Sequence, residues 1–141
     1  MFVERYLGQI RTLRYQIKCK QKDAEMWREL ASSMAVGSDG DRVQKTSSQD
    51  RMADAIAKAV DCEADALALV QCLVDLQKTI LWQIDHMESD VHRIFLNEYY
   101  VHDMSLADIA NEWKKSFSHV KRVKSSALKA FSAKYGENFR K

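Results

Sequence analysis

Residues 105–128, SLADIANEWKKSFSHVKRVKSSAL, decide the fold of the last third of the chain. Ser105 is followed three residues later by Asp108, which is the spacing of a capping box at the start of a helix, with Asp in place of the usual Glu. Apolar residues then recur at helical spacing as far as Trp113. Small Ala110 suits a point where two helices cross closely. This part of the stretch therefore predicts a short, capped helix.

The second half of the stretch predicts another helix after a tight turn. Lys114 and Lys115 form the turn, and Ser116 is the N-cap of the next helix. The spacing L-x-x-I-A-x-x-W-x-x-S-x-x-x-V is that of a helix-turn-helix. The second helix carries an apolar face, for which the sequence indicates Phe117, Val120, Val123, Ala127 and Phe131.

The opposite face of that second helix is polar and basic. Residues 114–134 hold seven basic residues and no acid, a local charge of +7 in a chain of net charge +2. A basic face of this kind predicts a polyanion partner, and cations with hydroxyls suit contacts to phosphates and base edges. The candidate residues for binding double-stranded DNA are Ser116, Ser118, His119, Lys121, Arg122, Lys124, Ser125 and Lys129.

Upstream, the chain predicts two long helices. In the first, from Phe2 to Met34, a heptad pattern runs through Val3, Tyr6, Ile10, Leu13, Ile17, Lys20, Ala24, Trp27, Ala31 and Met34. The second is expected from an N-cap at Asp50 to Ser89, with an apolar stripe that includes Ile56, Val60, Leu67, Val70, Leu73, Leu76, Ile80, Ile84 and Met87. Stripes of this spacing are typical of helices that pair with other helices.

The two long helices differ in charge. Residues 3–22 carry six bases and one acid (+5), whereas residues 54–90 carry eight acids and two lysines (−6). Opposite charges favour an antiparallel hairpin closed by a loop over residues 36–50. Pairing of each helix with a second chain, as in a homodimer, remains open at this point.

The expected fold class is thus all-α: a long N-terminal helical hairpin or coiled coil over residues 1–89, followed by a helix-turn-helix domain over residues 90–141. A first helix is expected there from Val91 to Val101, with Ile94, Phe95 and Tyr99 facing inward. Glycine is rare (4) and proline is absent, which disfavours a β-rich fold.

Other classes of function find little support in the sequence. The four histidines and three cysteines lack metal-ligand spacing, so neither a metal nor a cofactor is expected. The sequence offers no recognisable pairing of a nucleophile with a general base, which disfavours an enzyme. The odd number of cysteines and the lack of a long apolar run or signal-peptide pattern indicate a cytoplasmic protein with no membrane partner.

The quoted stretch resembles the region of sigma factors that reads the −35 promoter element. More narrowly, it is similar to phage-encoded, sigma-like transcriptional regulators of Gram-positive bacteria. The resemblance extends to VQKTSSQDRMADAIAKAVD at residues 43–61 and to YLGQIRTL at residues 6–13. It implies control of phage genes, with late genes expected, by promoter binding. The leading hypothesis is therefore a sequence-specific DNA-binding regulator that acts as a dimer or beside RNA polymerase.

Two positions depart from that family's pattern. The turn usually has glycine where this chain has Lys114, and a lysine with positive φ costs about 1 kcal/mol relative to glycine. A longer or differently shaped turn is therefore expected. Val123 and Lys124 stand where relatives often have an aromatic residue or histidine in the recognition helix, which bears on base specificity.

Two alternative functions remain open. In the first, the long helices bind a protein such as RNA polymerase, and the helix-turn-helix is a docking module without DNA contact. In the second, the chain is a small phage DNA-packaging subunit, a family that also combines a helix-turn-helix with coiled coils. The C-terminal position of the motif disfavours that second reading.

Overall fold

The computed structural model describes residues 2–36 and 42–136. Side chains are described for all of these residues except those from position 35 to position 48. The described chain is helical almost throughout and contains no strand, which confirms the all-α class. The helices are α1 (Phe2–Leu7), α2 (Gln9–Val36), α3 (Arg42–Asp85), α4 (Asp90–Leu96), a π-helical turn (Asn97–Val101), α5 (Leu106–Trp113) and α6 (Phe117–Tyr135).

Helix boundaries differ from expectation at four places, one of which is the end of the second long helix: α3 ends at Asp85 and not at Ser89, which is the N-cap of α4. The first long helix is divided at Gly8 into α1 and α2. The loop predicted over residues 36–50 is wrong in its second half, because α3 begins at Arg42 and Asp50 lies inside it. No glycine or proline interrupts residues 42–50, so nothing there ends a helix. Residues 37–41 lie outside the described part of the chain.

The fourth difference lies in the helix predicted from Val91 to Val101. It changes from α-helix to π-helix at Asn97, where the His102 N–H donates to the Asn97 carbonyl at 3.0 Å. The i→i+5 spacing of the π turn places Tyr100, five residues after Phe95, in the core, and Tyr99 is only partly buried. Ile94, predicted to face inward, is half exposed, whereas Leu96 and Tyr100 are buried beside Phe95.

Residues 13–36 and 42–72 form one compact unit, in which the pairs Lys20–Asp65 and Trp27–Lys58 show that α2 and α3 run antiparallel. The Lys20 ammonium lies 3.4 Å from the Asp65 carboxylate, and the Arg28 guanidinium lies 2.7 Å from that of Glu63. The Lys58 ammonium lies 4.6 Å from the ring centre of Trp27. Of the opposite charges predicted on residues 3–22 and 54–90, Lys20 and Asp65 meet in this unit.

The contact between α2 and α3 uses the predicted stripe of α2 but not that of α3. Ile17, Ala24 and Ala31 are buried, as the heptad pattern predicted. On α3 the buried residues are alanines: Ala55, Ala59 and Ala66. The prediction that large residues of α3 pack there is wrong for Ile56, Val60, Leu67 and Val70, which are exposed. The buried α2 residues of this unit are themselves one isoleucine and two alanines, so the buried part of this contact is made mostly of small side chains.

Residues 2–12 and 73–136 form the second compact unit. Its core joins α1, the C-terminal end of α3 and helices α4 to α6 around fully buried Phe95, Ile109 and Phe131. The Tyr6 hydroxyl donates to the Gln83 side-chain oxygen at 2.7 Å, and the Tyr135 hydroxyl donates to the Gln83 carbonyl at 2.8 Å. The end of α3 is thereby tied to both α1 and α6.

Candidate nucleic-acid interface

The turn between α5 and α6 is short and regular in spite of its lysine. Lys114 takes up the left-handed conformation, with φ 56° and ψ 44°. Its N–H donates to the Asn111 carbonyl at 3.3 Å, and the Lys115 N–H donates to the Ala110 carbonyl at 3.0 Å. This is the Schellman arrangement that usually employs glycine. The expectation of a longer or differently shaped turn is therefore wrong: the lysine adopts glycine's conformation.

Both helices begin at the predicted serine caps. The Ser105 hydroxyl accepts from the Asp108 N–H at 3.1 Å, and the Ser116 hydroxyl accepts from the His119 N–H at 3.1 Å. Only three residues separate α5 from α6, so the two caps fix where each helix starts. The Ser116 oxygen is consequently occupied by its own helix.

A bonded network fixes the outer end of α5. The Trp113 indole N–H donates to the Glu98 carboxylate at 3.1 Å, and the Trp113 ring meets that of Phe95 edge-on at 6.3 Å between centres. Burial raises the pKa of the Glu98 carboxyl, the nearby Glu112 carboxylate raises it further, and the Trp113 hydrogen bond opposes the shift. The network holds α5 against the π turn.

One face of α6 is buried and fixes the rotation of the helix. Val120, Ala127 and Phe131 are fully buried, as predicted, and Leu128 joins them. This face packs against α1, α4 and α5. Because Val120 faces inward, the residues on the far side of α6 must face solvent.

The exposed side of α6 carries a stripe of hydroxyls and cations. Ser118, Arg122, Ser125 and Lys129 are all exposed and follow one another at spacings of four, three and four residues, which places them on one side of a helix. Among the described residues, neither Arg122 nor Lys129 forms an ion pair. We call these four residues the α6 stripe.

Lys121 is also exposed, but it lies toward the edge of the stripe. Its ammonium is 4.9 Å from the ring centre of Phe117. Phe117 was predicted to face the core, and this is wrong: the ring is 47% exposed. Phe117 is the first residue of α6. Its spacing from Val120 predicted the side of the helix on which it lies, but not whether a neighbouring helix extends far enough to cover it.

Two other predicted residues stand apart from the stripe. Lys124 is only 25% exposed, and its ammonium lies 3.8 Å from the Glu4 carboxylate and 4.9 Å from the ring centre of Tyr99. It ties α6 to α1 and to the π turn. His119 is partly buried near the start of α6. Lys114 and Lys115 were predicted only to form the turn and not to bind DNA. Both are exposed and add two cations next to the start of α6.

Across the described residues, no cluster of three or more His, Cys, Asp or Glu side chains is arranged to hold a metal ion. None of the helices they form is long and apolar enough to cross a membrane.

Comparison with known proteins adds no further assignment: no protein-family model, curated protein or solved structure matches this chain.

Proposed function

We propose that the chain is a DNA-binding transcriptional regulator in which α5 and α6 form a helix-turn-helix and the long helices α2 and α3 form a supporting hairpin. In this proposal α6 is the recognition helix and enters the major groove of double-stranded DNA. The resemblance to phage sigma-like regulators suggests a phage promoter as the target.

The α6 stripe is the observation that carries the proposal. Serine side chains at positions 118 and 125 are short, so the backbone of α6 can come close to the floor of a groove. Arg122 lies between them, and arginine is the side chain that most often reads guanine through two hydrogen bonds. Lys129 continues the stripe one turn further, where a cation suits a backbone phosphate.

The neighbouring residues receive supporting roles. Lys121, Lys114 and Lys115 are exposed cations beside the stripe and suit phosphate contacts, which position a protein without reading sequence. The exposed Phe117 ring is suited to apolar contact with a thymine methyl group. Lys124 is proposed to position α6 through Glu4 and Tyr99 rather than to contact DNA.

The charge balance of the exposed side favours DNA over an acidic protein. Residues 114–134 hold no acid, and six of their seven bases are exposed, all except Lys124. A protein interface of this size usually mixes signs and is depleted of lysine, whereas DNA-binding surfaces are strongly positive.

A titration followed by fluorescence anisotropy tests the proposal. Promoter-containing duplexes from the genome that encodes the chain are compared with a random duplex of equal length at several salt concentrations. We expect binding to one promoter duplex to be tighter than to the random duplex by about 10³-fold or more. Equal and weak binding to every duplex would contradict sequence-specific regulation and would leave only general electrostatic attraction.

A further inference from the structure

The unit of residues 13–72 leaves a second apolar seam of α3 exposed, on a different side from the alanines that contact α2. Its members are Ile56, Val60, Glu63, Leu67 and Val70, which recur at spacings of four, three, four and three residues. Leu67 is 71% exposed, and Ile56, Val60 and Val70 are each more than one-third exposed. We call this row the outer seam of α3.

The spacing of the outer seam is that of a coiled coil. A heptad alternation of three and four residues keeps one row of side chains on the same side of a helix over several turns, and such a row packs against a second helix. Isolated exposed apolar residues need no explanation, but a continuous row marks an interaction site. The buried alanines Ala55, Ala59 and Ala66 form the inner seam of α3, which faces α2. The outer seam therefore requires a different helix.

The charges around the outer seam restrict what that helix can be. Glu63 is the one charged member, and its carboxylate is already paired at 2.7 Å with Arg28 of the same chain. This pairing lowers the pKa of the Glu63 carboxyl, and the hydrogen bond from Arg28 is the largest cause. Ala57 and Ala64, both exposed, lie beside the seam. Apart from Glu63 the row is therefore apolar, with small flanking side chains, and a second apolar helix can pack against it.

Four of the five members of the outer seam pair with one another under a two-fold rotation. Val60 and Val70 are equally far from position 65, and so are Glu63 and Leu67. When a second α3 runs antiparallel, with the two-fold axis on the seam side and level with position 65 along the helix, Val60 lies opposite the Val70 position of the other copy. Leu67 then lies opposite the Glu63 position and covers its carbon stem. A surface that matches itself under a two-fold rotation is the requirement for a closed homodimer.

The exposed apolar residues of α2 do not offer an equivalent surface. Tyr15, Met26 and Leu30 are exposed, but Lys18 and Lys22 lie between Tyr15 and Met26. We therefore propose that two copies of this chain associate through the outer seams of their α3 helices, antiparallel and with the two-fold axis near residue 65. The inference does not depend on DNA binding.

The test begins with sedimentation equilibrium of the full chain and two charge variants. Leu67→Glu places a carboxylate in the centre of the proposed contact, and we expect the dimer dissociation constant to rise about 100-fold or more. Ala68→Glu is the matched control, because Ala68 is exposed on the same helix but off the seam. It should remain dimeric. Val60→Glu provides a second seam variant, and circular dichroism checks that each variant keeps its helix content.

Disulfide cross-linking then tests the orientation. In a background with Cys19, Cys62 and Cys72 replaced by alanine, Ala64→Cys near the axis should give a covalent dimer upon oxidation. Ile56→Cys should not, because two copies of residue 56 lie about 27 Å apart at 1.5 Å per residue in the antiparallel arrangement. A monomeric wild-type chain, a dimer that tolerates Leu67→Glu, or efficient cross-linking through position 56 would each overturn the proposal.

Discussion

Replacing Lys114 by glycine isolates the energetic cost of the turn before α6. An L-residue in the left-handed conformation costs roughly 1–2 kcal/mol, and glycine avoids this cost. Glycine also has more conformational entropy in the unfolded chain, and this offsets about 0.5–1 kcal/mol of the stabilisation. Because Lys114 holds φ at 56° and keeps both Schellman hydrogen bonds, we expect Lys114→Gly to stabilise the fold by ~0.5–1 kcal/mol.

The appropriate control is Lys114→Ala. Alanine removes the ammonium but keeps the conformational cost, so it separates the backbone effect from the favourable charge at the end of α5. Urea unfolding followed by circular dichroism measures the free energy of unfolding of all three proteins. We expect the glycine variant to be more stable than the alanine variant. Equal stabilities, or a less stable glycine variant, would refute the left-handed turn and with it the fixed start of α6.

Three further predictions concern stability. The raised pKa of Glu98 means that the folded chain holds this proton more tightly than the unfolded chain. Its stabilising contribution is thus complete below the carboxyl's ordinary pKa and is lost as the pH rises through the raised value. Glu98→Gln should therefore raise the melting temperature at pH 7 and change it less at acid pH; a larger gain in acid would contradict this. Gly8→Ala should destabilise by about 1 kcal/mol or more, because the added Cβ would lie 2.9 Å from a carbonyl oxygen of the preceding turn. In the control Gly136→Ala, the Cβ meets only a serine hydroxyl at 3.3 Å, and a thermal melt should show little change. Phe131→Ala removes a fully buried ring and should cost ~3–5 kcal/mol in urea unfolding, whereas Phe117→Ala, at an exposed ring of the same helix, should cost less than ~1 kcal/mol; similar losses for both would contradict the assigned rotation of α6.

Caps and periodicity made the C-terminal helices predictable. Ser105 and Ser116 cap α5 and α6 where the spacing indicated, because a serine cap acts through the backbone of its own helix. The buried face of α6 followed from the placement of Val120. Local interactions of this kind can be read from a short stretch of sequence.

The contact between α2 and α3 was not predictable in the same way. Large apolar residues at heptad spacing predicted the inner seam of α3, yet alanines occupy it and Leu67 is exposed. Which of two overlapping heptad rows faces the partner helix depends on side-chain packing across sequence separations of more than 30 residues. The start of α3 at Arg42 was missed because serine and aspartate are favoured both at caps and in loops, and their presence did not stop the helix.

The candidate DNA-binding residues show the same difference between local and long-range contacts. The exposure of Ser118, Arg122, Ser125 and Lys129 on one side of α6 could be predicted from helical spacing alone. Lys124 lies on the same helix, but its contacts with Glu4 and Tyr99 come from distant parts of the chain. A helical wheel cannot reveal a partner that another element supplies.

The central claim is that the α6 stripe binds duplex DNA, and Arg122→Ala tests it most directly. Lys134→Ala is the matched control: it removes one positive charge from the same helix, but its ammonium is bonded to the His86 carbonyl rather than placed on the stripe. In anisotropy titrations against the preferred promoter duplex, we expect Arg122→Ala to weaken binding by about 10- to 100-fold. Lys134→Ala should remain close to wild type. Equal affinities for wild type and Arg122→Ala, with both variants folded, would contradict the account.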